Sequence, residues 1–461
     1  MLTSFPSPHP RVSSGTATEP GGRGRWISDR GGRDREGAAC LEKAHLDTHP
    51  LEAGGRQYGE SPRGTSTRRG SLTTVHTPTA QSAQPAGGKR VAWADTAKGF
   101  SILAVCLMHV VTLVPGGMET SWGAAKTVLD PLRMPLFFLV SGLFAHRVIE
   151  RSFPDLWFRR LWFLLVPYVI FTPVVAANRL YIDGKLFSNP PPSITAPSRI
   201  PGLPVRLDMH AILTHMDYEA VFKAILFGDP GLWFLYALML YNIAAWSVRK
   251  LPVWLAVALS FTPAYFGSVA GLMSHQGIRQ VLTYLPIFFI GLFFRKAIFR
   301  LANHAFSLPT ILITAGLFIA SEVINYALDH SVFAEWDDTI AALTVGTGLL
   351  RIFAAIPFGI VFASWLAQTP IVAPVLKAIG RHTLPIYVSH QSALGYGFFL
   401  LAAYQAQEAE FVEIFEQPIS QIYLGFVICA ISGFAFYGLS KVPVLGWVLN
   451  PPSLRPKAAQ R

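Results

Sequence analysis

The sequence predicts an all-α membrane protein, a bundle of about ten transmembrane helices with both termini in the cytoplasm. Composition is the first observation behind this prediction. The 461-residue chain is 51% hydrophobic and only 14% charged, whereas about 25% of the residues in a soluble domain are charged. The second observation is a series of apolar runs, each long enough to cross about 30 Å of hydrocarbon as a helix. The third is an alternation of basic and acidic connections between these runs.

The apolar runs begin close to residue 98 and continue to residue 440. Several contain Pro or Gly, which transmembrane helices tolerate where neighbouring helices satisfy the freed backbone groups. The fifth run is interrupted by Pro263 and Gly267. The ten runs are approximately residues 98–115, 127–146, 157–178, 231–248, 252–271, 281–297, 307–328, 343–366, 382–404 and 419–440.

Charged residues between the runs predict the orientation. Connections on one side are rich in Arg and Lys, and the positive-inside rule assigns this side to the cytoplasm. Because the basic residues lie in a tail and in these connections, the net charge of +11 reflects topology, and we expect no nucleic acid partner. The basic side contains Arg147, Arg151, Arg159, Arg160, Arg249, Lys250, Arg295, Lys296, Arg300, Lys377, Arg381, Lys441 and Arg455, and the acidic side Glu119, Asp329, Glu335, Asp337, Asp338, Glu408, Glu410, Glu413 and Glu416.

Three segments follow from these patterns. Residues 1–90 are rich in Gly, Arg, Ser, Thr and Pro and lack apolar periodicity, so we expect a disordered cytoplasmic tail. No Met occurs between Met1 and Met108, and one hypothesis is that this tail is partly a start-site artefact. Residues 91–445 form the transmembrane domain, and residues 446–461 a short basic cytoplasmic tail. The Pro-rich outer loop at 179–230 either caps an outward-facing entrance or is a variable connector.

Ionisable side chains inside the apolar runs are candidates for function, because a charge at bilayer depth is costly. Glu322 and Arg351 lie on different runs, and a buried pair between them is one hypothesis. Cys40, Cys106 and Cys429 have no metal-ligand spacing, so they predict neither a metal site nor a disulfide framework. The candidates are Lys98, His109, Arg133, His146, Glu322, Arg351 and His390.

Lys98 and His109 are the most informative pair among these candidates. They are eleven residues apart, which places them within about 20° of the same helix face and about 16 Å apart along the axis. Lys98 would lie at the cytoplasmic mouth, where a cation suits a phosphate-bearing ligand, and Asp95 is three residues away, within pairing distance. A desolvated His109 is neutral and accepts a proton, as a general base must. A structural hydrogen bond between helices is the alternative for His109, and also for His390.

Five short motifs occur in order from the first run to the ninth. They are Trp93-Ala94-Asp95-Thr96-Ala97-Lys98-Gly99 followed by His109, Met134-Pro135-Leu136-Phe137-Phe138-Leu139-Val140-Ser141-Gly142, Arg160-Leu161 to Pro167-Tyr168, Trp233-Phe234-Leu235, and Ile379-Gly380-Arg381 through Ile386-Tyr387 to His390.

Together these motifs resemble the acyltransferase 3 family of bacterial inner-membrane O-acyltransferases, over about residues 91–440. In that family a basic residue stands eleven positions before the first histidine. Lys at this place is similar to the branch of fucose O-acetylases and glucan-modifying enzymes. Members with an Arg-x-x-Arg pair near the third helix use both arginines, whereas here Phe163 follows Arg160 at that spacing and Arg159 precedes it.

The resemblance implies a multi-pass protein of the bacterial inner membrane that uses acyl-CoA, usually acetyl-CoA, as donor and a hydroxyl of a glycan or related acceptor. It implies no permanently bound cofactor and no metal. His109 would remove the hydroxyl proton, directly or through a transient acyl intermediate. Lys98, oriented by Asp95, would bind the donor together with Arg160. The expected substrate-binding residues are Ser141, Arg159, Arg160, Trp233 and His390.

Two other functions fit parts of the sequence. A transporter or flippase for a glycan or small metabolite also has many spans and buried charges. However, the chain shows no internal repeat with paired broken helices, as many transporters do, and a transporter does not need a histidine three turns above a cytoplasmic cation. A catalytically inactive sensor on the same scaffold is the third reading, and the retention of both Lys98 and His109 argues against it.

Overall fold

A computed structural model of the chain describes residues 91–182, 214, 217–228, 231–269, 276–329, 337–405 and 417–454. The chain divides into two units, Met1–Ala86 and Gly87–Arg461, and every described residue lies in the second. The tail predicted at 1–90, most of the long outer loop and the end of the basic C-terminal tail lie outside the described residues.

Helices form all the regular structure of the described residues. Short 3₁₀ turns lie at Gly117–Glu119, His146–Val148 and Leu445–Val448, and a π-helical turn lies at Trp157–Leu161. The α-helices are α1 (Ala92–Leu113), α2 (Ser121–Leu143), α3 (Phe153–Leu156), α4 (Trp162–Ile182), α5 (Tyr218–Phe227), α6 (Trp233–Ser247), α7 (Val253–Val269), α8 (Gln276–Phe293), α9 (Arg295–Asn303), α10 (Leu308–Asp329), α11 (Asp337–Leu366), α12 (Val372–Arg381), α13 (Thr383–Gln405) and α14 (Pro418–Leu439).

In the part of the chain that the structure describes, helices occupy most of each of the ten predicted apolar runs. Within the described residues, five helices are long and apolar enough to cross a membrane, and the number rises to six if a pair bent by 78° forms one span. The chain is therefore an all-helical, multi-pass membrane protein, while ten spans and cytoplasmic termini stay predictions. The five helical segments are Ala92–Leu113, Phe153–Ala176, Leu308–Ala327, Gly348–Leu366 and Pro418–Leu439, and the bent pair is Gly277–Phe293 with Arg295–Asn303.

Glycines bring the backbones of α1 and α12 into contact. At Gly99 of α1 a side chain would overlap the carbonyl of Leu376, and at Gly380 of α12 it would overlap the carbonyl of Asp95. The α12 helix is amphipathic, since its buried residues recur at helical spacing on one face. It therefore lies against the first half of α1, which contains Lys98.

An aromatic core holds α2, α6 and α8 together. Phe138 is fully buried, and its ring centroid lies 5.7 Å from Trp233, 5.2 Å from Tyr241 and 5.4 Å from Tyr284. Pro131 and Pro135 lie inside α2 without ending it, as transmembrane helices tolerate where neighbouring groups satisfy the freed backbone. This core fixes one wall beside the candidate site.

Candidate active site

Two histidines from distant parts of the sequence meet in the interior. His109 is four residues from the end of α1, and His390 is in the second turn of α13. Their ring centroids are 5.1 Å apart with an interplanar angle of 52°. At this separation a ring nitrogen of one histidine can exchange a proton with the other, directly or through one intervening group. The pair is therefore the strongest candidate for proton transfer among the described residues.

Hydrogen bonding assigns the tautomer of His390. The side chain is fully buried, and its Nδ1 lies 3.0 Å from the carbonyl oxygen of Ile386. A carbonyl oxygen only accepts, so Nδ1 must carry the hydrogen and Nε2 of the neutral ring must be an acceptor. Nε2 has no hydrogen-bond partner among the described residues. His390 thus presents an unused basic nitrogen in a desolvated place.

Tyr387 connects the histidine helix to the start of α6. Its hydroxyl donates to the carbonyl oxygen of Gly231 over 3.1 Å and accepts from the backbone N–H of Phe234 over 3.1 Å. The ring centroid of Tyr387 is 5.9 Å from that of His390. A helix start leaves its first N–H groups unsatisfied, and Tyr387 satisfies one of them. Trp233, the first residue of α6, is held at the level of the histidines by this link.

The first half of α1 contributes to a separate basic group centred on Phe144. Lys98 Nζ lies 5.3 Å from the centroid of the Phe144 ring, and Arg160 Nη1 donates to the Phe144 carbonyl oxygen over 3.2 Å. Arg160 lies in the π-helical turn before α4, a distortion that is frequent at functional sites. Lys98 and Arg160 therefore both contact Phe144, one at its ring and the other at its backbone carbonyl.

The remaining predicted site residues have local partners. Asp95 Oδ2 lies 3.3 Å from Arg381 Nε of α12. Arg159 is exposed and donates from Nε to Asp155 over 2.7 Å, so it does not join Arg160 at Phe144. Ser141 donates to the carbonyl of Phe137 in its own helix over 2.8 Å. It lies three residues before Phe144, which places it with the basic group and not with the histidine pair.

Two features of the site were not predicted from the sequence. Phe144 is an ordinary apolar residue at the end of α2, and no signal in the sequence marks it as the residue where two cations meet. Tyr387 belongs to a recognised motif, but its hydrogen-bond partners, Gly231 and Phe234, lie at and just before the start of α6, and the sequence does not show this pairing. Among the described residues no three His, Cys, Asp or Glu side chains are grouped so that they could hold a metal ion.

Comparison with known proteins settles the family. A family model described as an acyltransferase domain matches residues 91–438, three quarters of the chain. The chain belongs to the acyltransferase 3 family. The match covers both groups of site residues, from Asp95 to His390.

One curated relative supports this membership. The chain is 23% identical to the inner membrane protein YcfT of Escherichia coli (strain K12), over 78% of this chain and 96% of the relative. No solved structure matches. The family and the apolar helices together identify a membrane acyltransferase scaffold.

Proposed function

We propose that this protein transfers an acyl group, preferentially acetyl, from cytoplasmic acyl-CoA to a hydroxyl of a glycan or a related acceptor. The observation that carries the proposal is the arrangement along α1. At one end Lys98 meets Arg160 at Phe144, and toward the other end His109 meets His390. An anion-binding group and a proton-transfer group are thereby about 16 Å apart along one helix.

The basic group suits the donor. Acyl-CoA carries phosphates at one end of a long flexible arm and a thioester at the other. Lys98 and Arg160 would hold the phosphates at the cytoplasmic mouth, where charge-assisted bonds to phosphate are strong. The arm would then follow α1 inward, so that the thioester carbonyl lies beside His109.

The histidine pair suits the chemical step. His109 would take the proton of the acceptor hydroxyl as its oxygen attacks the thioester carbonyl. The new C–O bond forms, the C–S bond breaks, and the proton passes to the departing CoA sulfur. His390 Nε2 would accept a hydrogen bond from one nitrogen of His109, which leaves the other nitrogen free to act as base. Trp233 would form part of the pocket wall.

Location belongs to the same proposal. We infer a multi-pass protein of a bacterial inner membrane, with ten spans and cytoplasmic termini, because basic residues concentrate on one side and the E. coli relative is named an inner membrane protein. Acyl-CoA and the basic mouth are then on the same side of the bilayer. The acceptor would enter from the opposite side.

The experiment compares cell-envelope glycans with and without the gene by mass spectrometry. We expect an added acyl mass that depends on the gene and on His109. His109→Ala should abolish the added mass while the protein still inserts in the membrane. The matched control is His304→Ala, because His304 is exposed at the end of α9. Unchanged acylation in the His109→Ala cells would refute the proposal.

A further inference from the structure

The outer half of α2 carries a second polar group, here called the α2 cluster: Lys126, Asp130 and Arg133. Lys126 Nζ lies 2.8 Å from Asp130 Oδ2, and Arg133 Nη1 lies 3.1 Å from Asp130 Oδ1. Lys126 and Asp130 are four residues apart, and Asp130 and Arg133 are three apart, so all three side chains lie on one face of the helix. Two cations and one carboxylate give the α2 cluster a net charge of +1.

Several atoms of the α2 cluster lack hydrogen bonds although they are buried. Arg133 Nε, Arg133 Nη1 and Asp130 Oδ1 have no partner of good geometry among the described residues, even though Nη1 and Oδ1 are close enough to attract each other. Buried donors and acceptors in native proteins are normally satisfied, and an unsatisfied group costs about 1–3 kcal/mol. The guanidinium of Arg133 and the Oδ1 atom of Asp130 could therefore each form a hydrogen bond with an additional polar partner.

A second ion pair in the bundle provides the contrast. Glu322 of α10 accepts from Arg351 of α11 through two bonds of 2.6 and 2.7 Å, and Arg351 also donates to the carbonyl of Thr127 over 3.2 Å. This pair is satisfied by the protein itself. The incomplete bonding of Arg133 is thus a property of its place and not of every intramembrane arginine in the described residues.

The place of Arg133 is beside the aromatic wall of the candidate site. Phe137 is one turn after Arg133 on the same face of α2, and its ring centroid lies 4.5 Å from that of Phe234, the residue next to Trp233. The ring of Tyr284 stacks on that of Trp233, with 5.8 Å between centroids and an angle of 25°. Trp233 is partly exposed, so part of its aromatic surface is accessible.

The depth of Arg133 matches that of the histidines. Arg133 is eleven residues before Phe144 on α2, and His109 is eleven residues after Lys98 on α1. The side chain of Lys98 contacts the ring of Phe144, and α1 and α2 pack antiparallel. Arg133 and His109 therefore each lie about 16 Å along their helix from the Lys98–Phe144 contact. Lys126 lies about 10 Å further toward the start of α2. The α2 cluster therefore extends from the level of His109 toward the end of the bundle opposite Lys98.

We propose that the α2 cluster and the Trp233–Tyr284 stack form a subsite for a sugar ring of the acceptor, an inference that rests on the proposed function. A sugar hydroxyl both donates and accepts. Neighbouring hydroxyls on one ring would accept from Arg133 Nε and Nη1 and donate to Asp130 Oδ1. The apolar face of the ring would lie on Trp233. The ring would then be held beside the histidine pair, with a further hydroxyl directed to His109.

The test uses the full chain in liposomes, radiolabelled acetyl-CoA, and a glycan fraction from envelopes of cells that lack the gene. Arg133→Gln should raise the apparent KM for this glycan fraction at least tenfold, while the KM for acetyl-CoA changes less than twofold. Asp130→Asn should act in the same direction, and it keeps the shape of the side chain if Arg133→Gln fails to fold. Arg300→Gln is the control, because Arg300 is exposed on α9, and it should leave the glycan KM unchanged.

A second experiment, periodate treatment of the glycan fraction, tests whether the ligand is recognised through sugar hydroxyls. Periodate cleaves vicinal diols, so a glycan fraction treated with periodate should no longer compete with the untreated fraction for the wild-type protein. Transfer with an unchanged glycan KM in both α2 variants would overturn the subsite and leave the proposed function intact. Absence of any transfer by the wild-type protein would overturn both. A periodate-treated fraction that competes fully would overturn recognition of sugar hydroxyls.

Discussion

The imidazole of His109 on α1 lies against that of His390 on α13, with 5.1 Å between the ring centroids. Only one of the two needs to act as base. The other is held by its own helix, because Nδ1 of His390 is bonded to Ile386 and only Nε2 faces away from that bond. A fixed acceptor beside a histidine selects which nitrogen of that histidine carries the hydrogen. In the proposed mechanism His390 would therefore act as a positioning residue for His109.

This role predicts an order among His390 variants. The substitution His390→Leu removes the acceptor nitrogen and should lower kcat about 100-fold, while the KM for acetyl-CoA stays within a factor of two of the wild-type value. The substitution His390→Gln keeps a polar atom near the position of Nε2, so this variant should retain more activity than His390→Leu. Steady-state kinetics in liposomes would check this. Equal activity of the wild type and His390→Leu would show that His390 is only structural.

The basic group at Phe144 predicts an effect on donor binding. Lys98→Ala and Arg160→Ala should each raise the KM for acetyl-CoA about 10-fold or more, because a lost charge-assisted bond costs about 1.5–3 kcal/mol. The kcat should change little. Arg159→Ala is the matched control, since Arg159 is exposed and bonded to Asp155, and its KM should stay near the wild-type value. An equal effect of all three substitutions would mean that general surface charge, and not this group, attracts the donor.

The pair of Glu322 and Arg351 predicts a stability effect. Arg351→Met leaves the Glu322 carboxylate without its cation and should destabilise the fold by about 2 kcal/mol. This is less than for a fully buried pair, because the two side chains are 26% and 19% exposed. The double variant Arg351→Met with Glu322→Leu should recover most of the loss. Thermal unfolding in detergent measures both, and a double variant less stable than the single one would contradict the explanation.

The contact of α12 with α1 predicts intolerance of a methyl group. In Gly380→Ala the new carbon would overlap the carbonyl of Asp95, so α12 must move away from α1, at a cost of about 1–3 kcal/mol. Gly316→Ala is the control, because nothing lies within 4 Å of a carbon added there, and it should be neutral or slightly stabilising. A Gly380→Ala protein as stable as the control would refute the close packing.

Part of the site was predictable because it lies on one helix. Lys98 and His109 are related by the helical repeat alone, so their common face follows from spacing. The pairing of Glu322 with Arg351 was a hypothesis from the cost of isolated charges, and it is confirmed. Both predictions need only the helical repeat and the polarity of individual residues, and a sequence contains both.

Other contacts depend on how helices cross. Nothing in the sequence relates His390 to His109, Tyr387 to Gly231, or Arg160 to Phe144, because the positions of α13, α6 and the π-helical turn relative to α1 are set by packing. Arg159 and Arg160 are adjacent and chemically identical, yet only Arg160 reaches Phe144.

The sequence by itself determined a helical membrane protein of the acyltransferase 3 family and the placement of a cation and a histidine along its first helix. Hydropathy, charge and helical period act locally, and each can be read residue by residue. The tertiary structure alone decided which nitrogen of His390 is bonded to its own helix, which of the two adjacent arginines contacts Phe144, and which rings pack against Trp233. These are set by side-chain packing between segments far apart in the chain, where a one-residue rotation of a helix changes every partner.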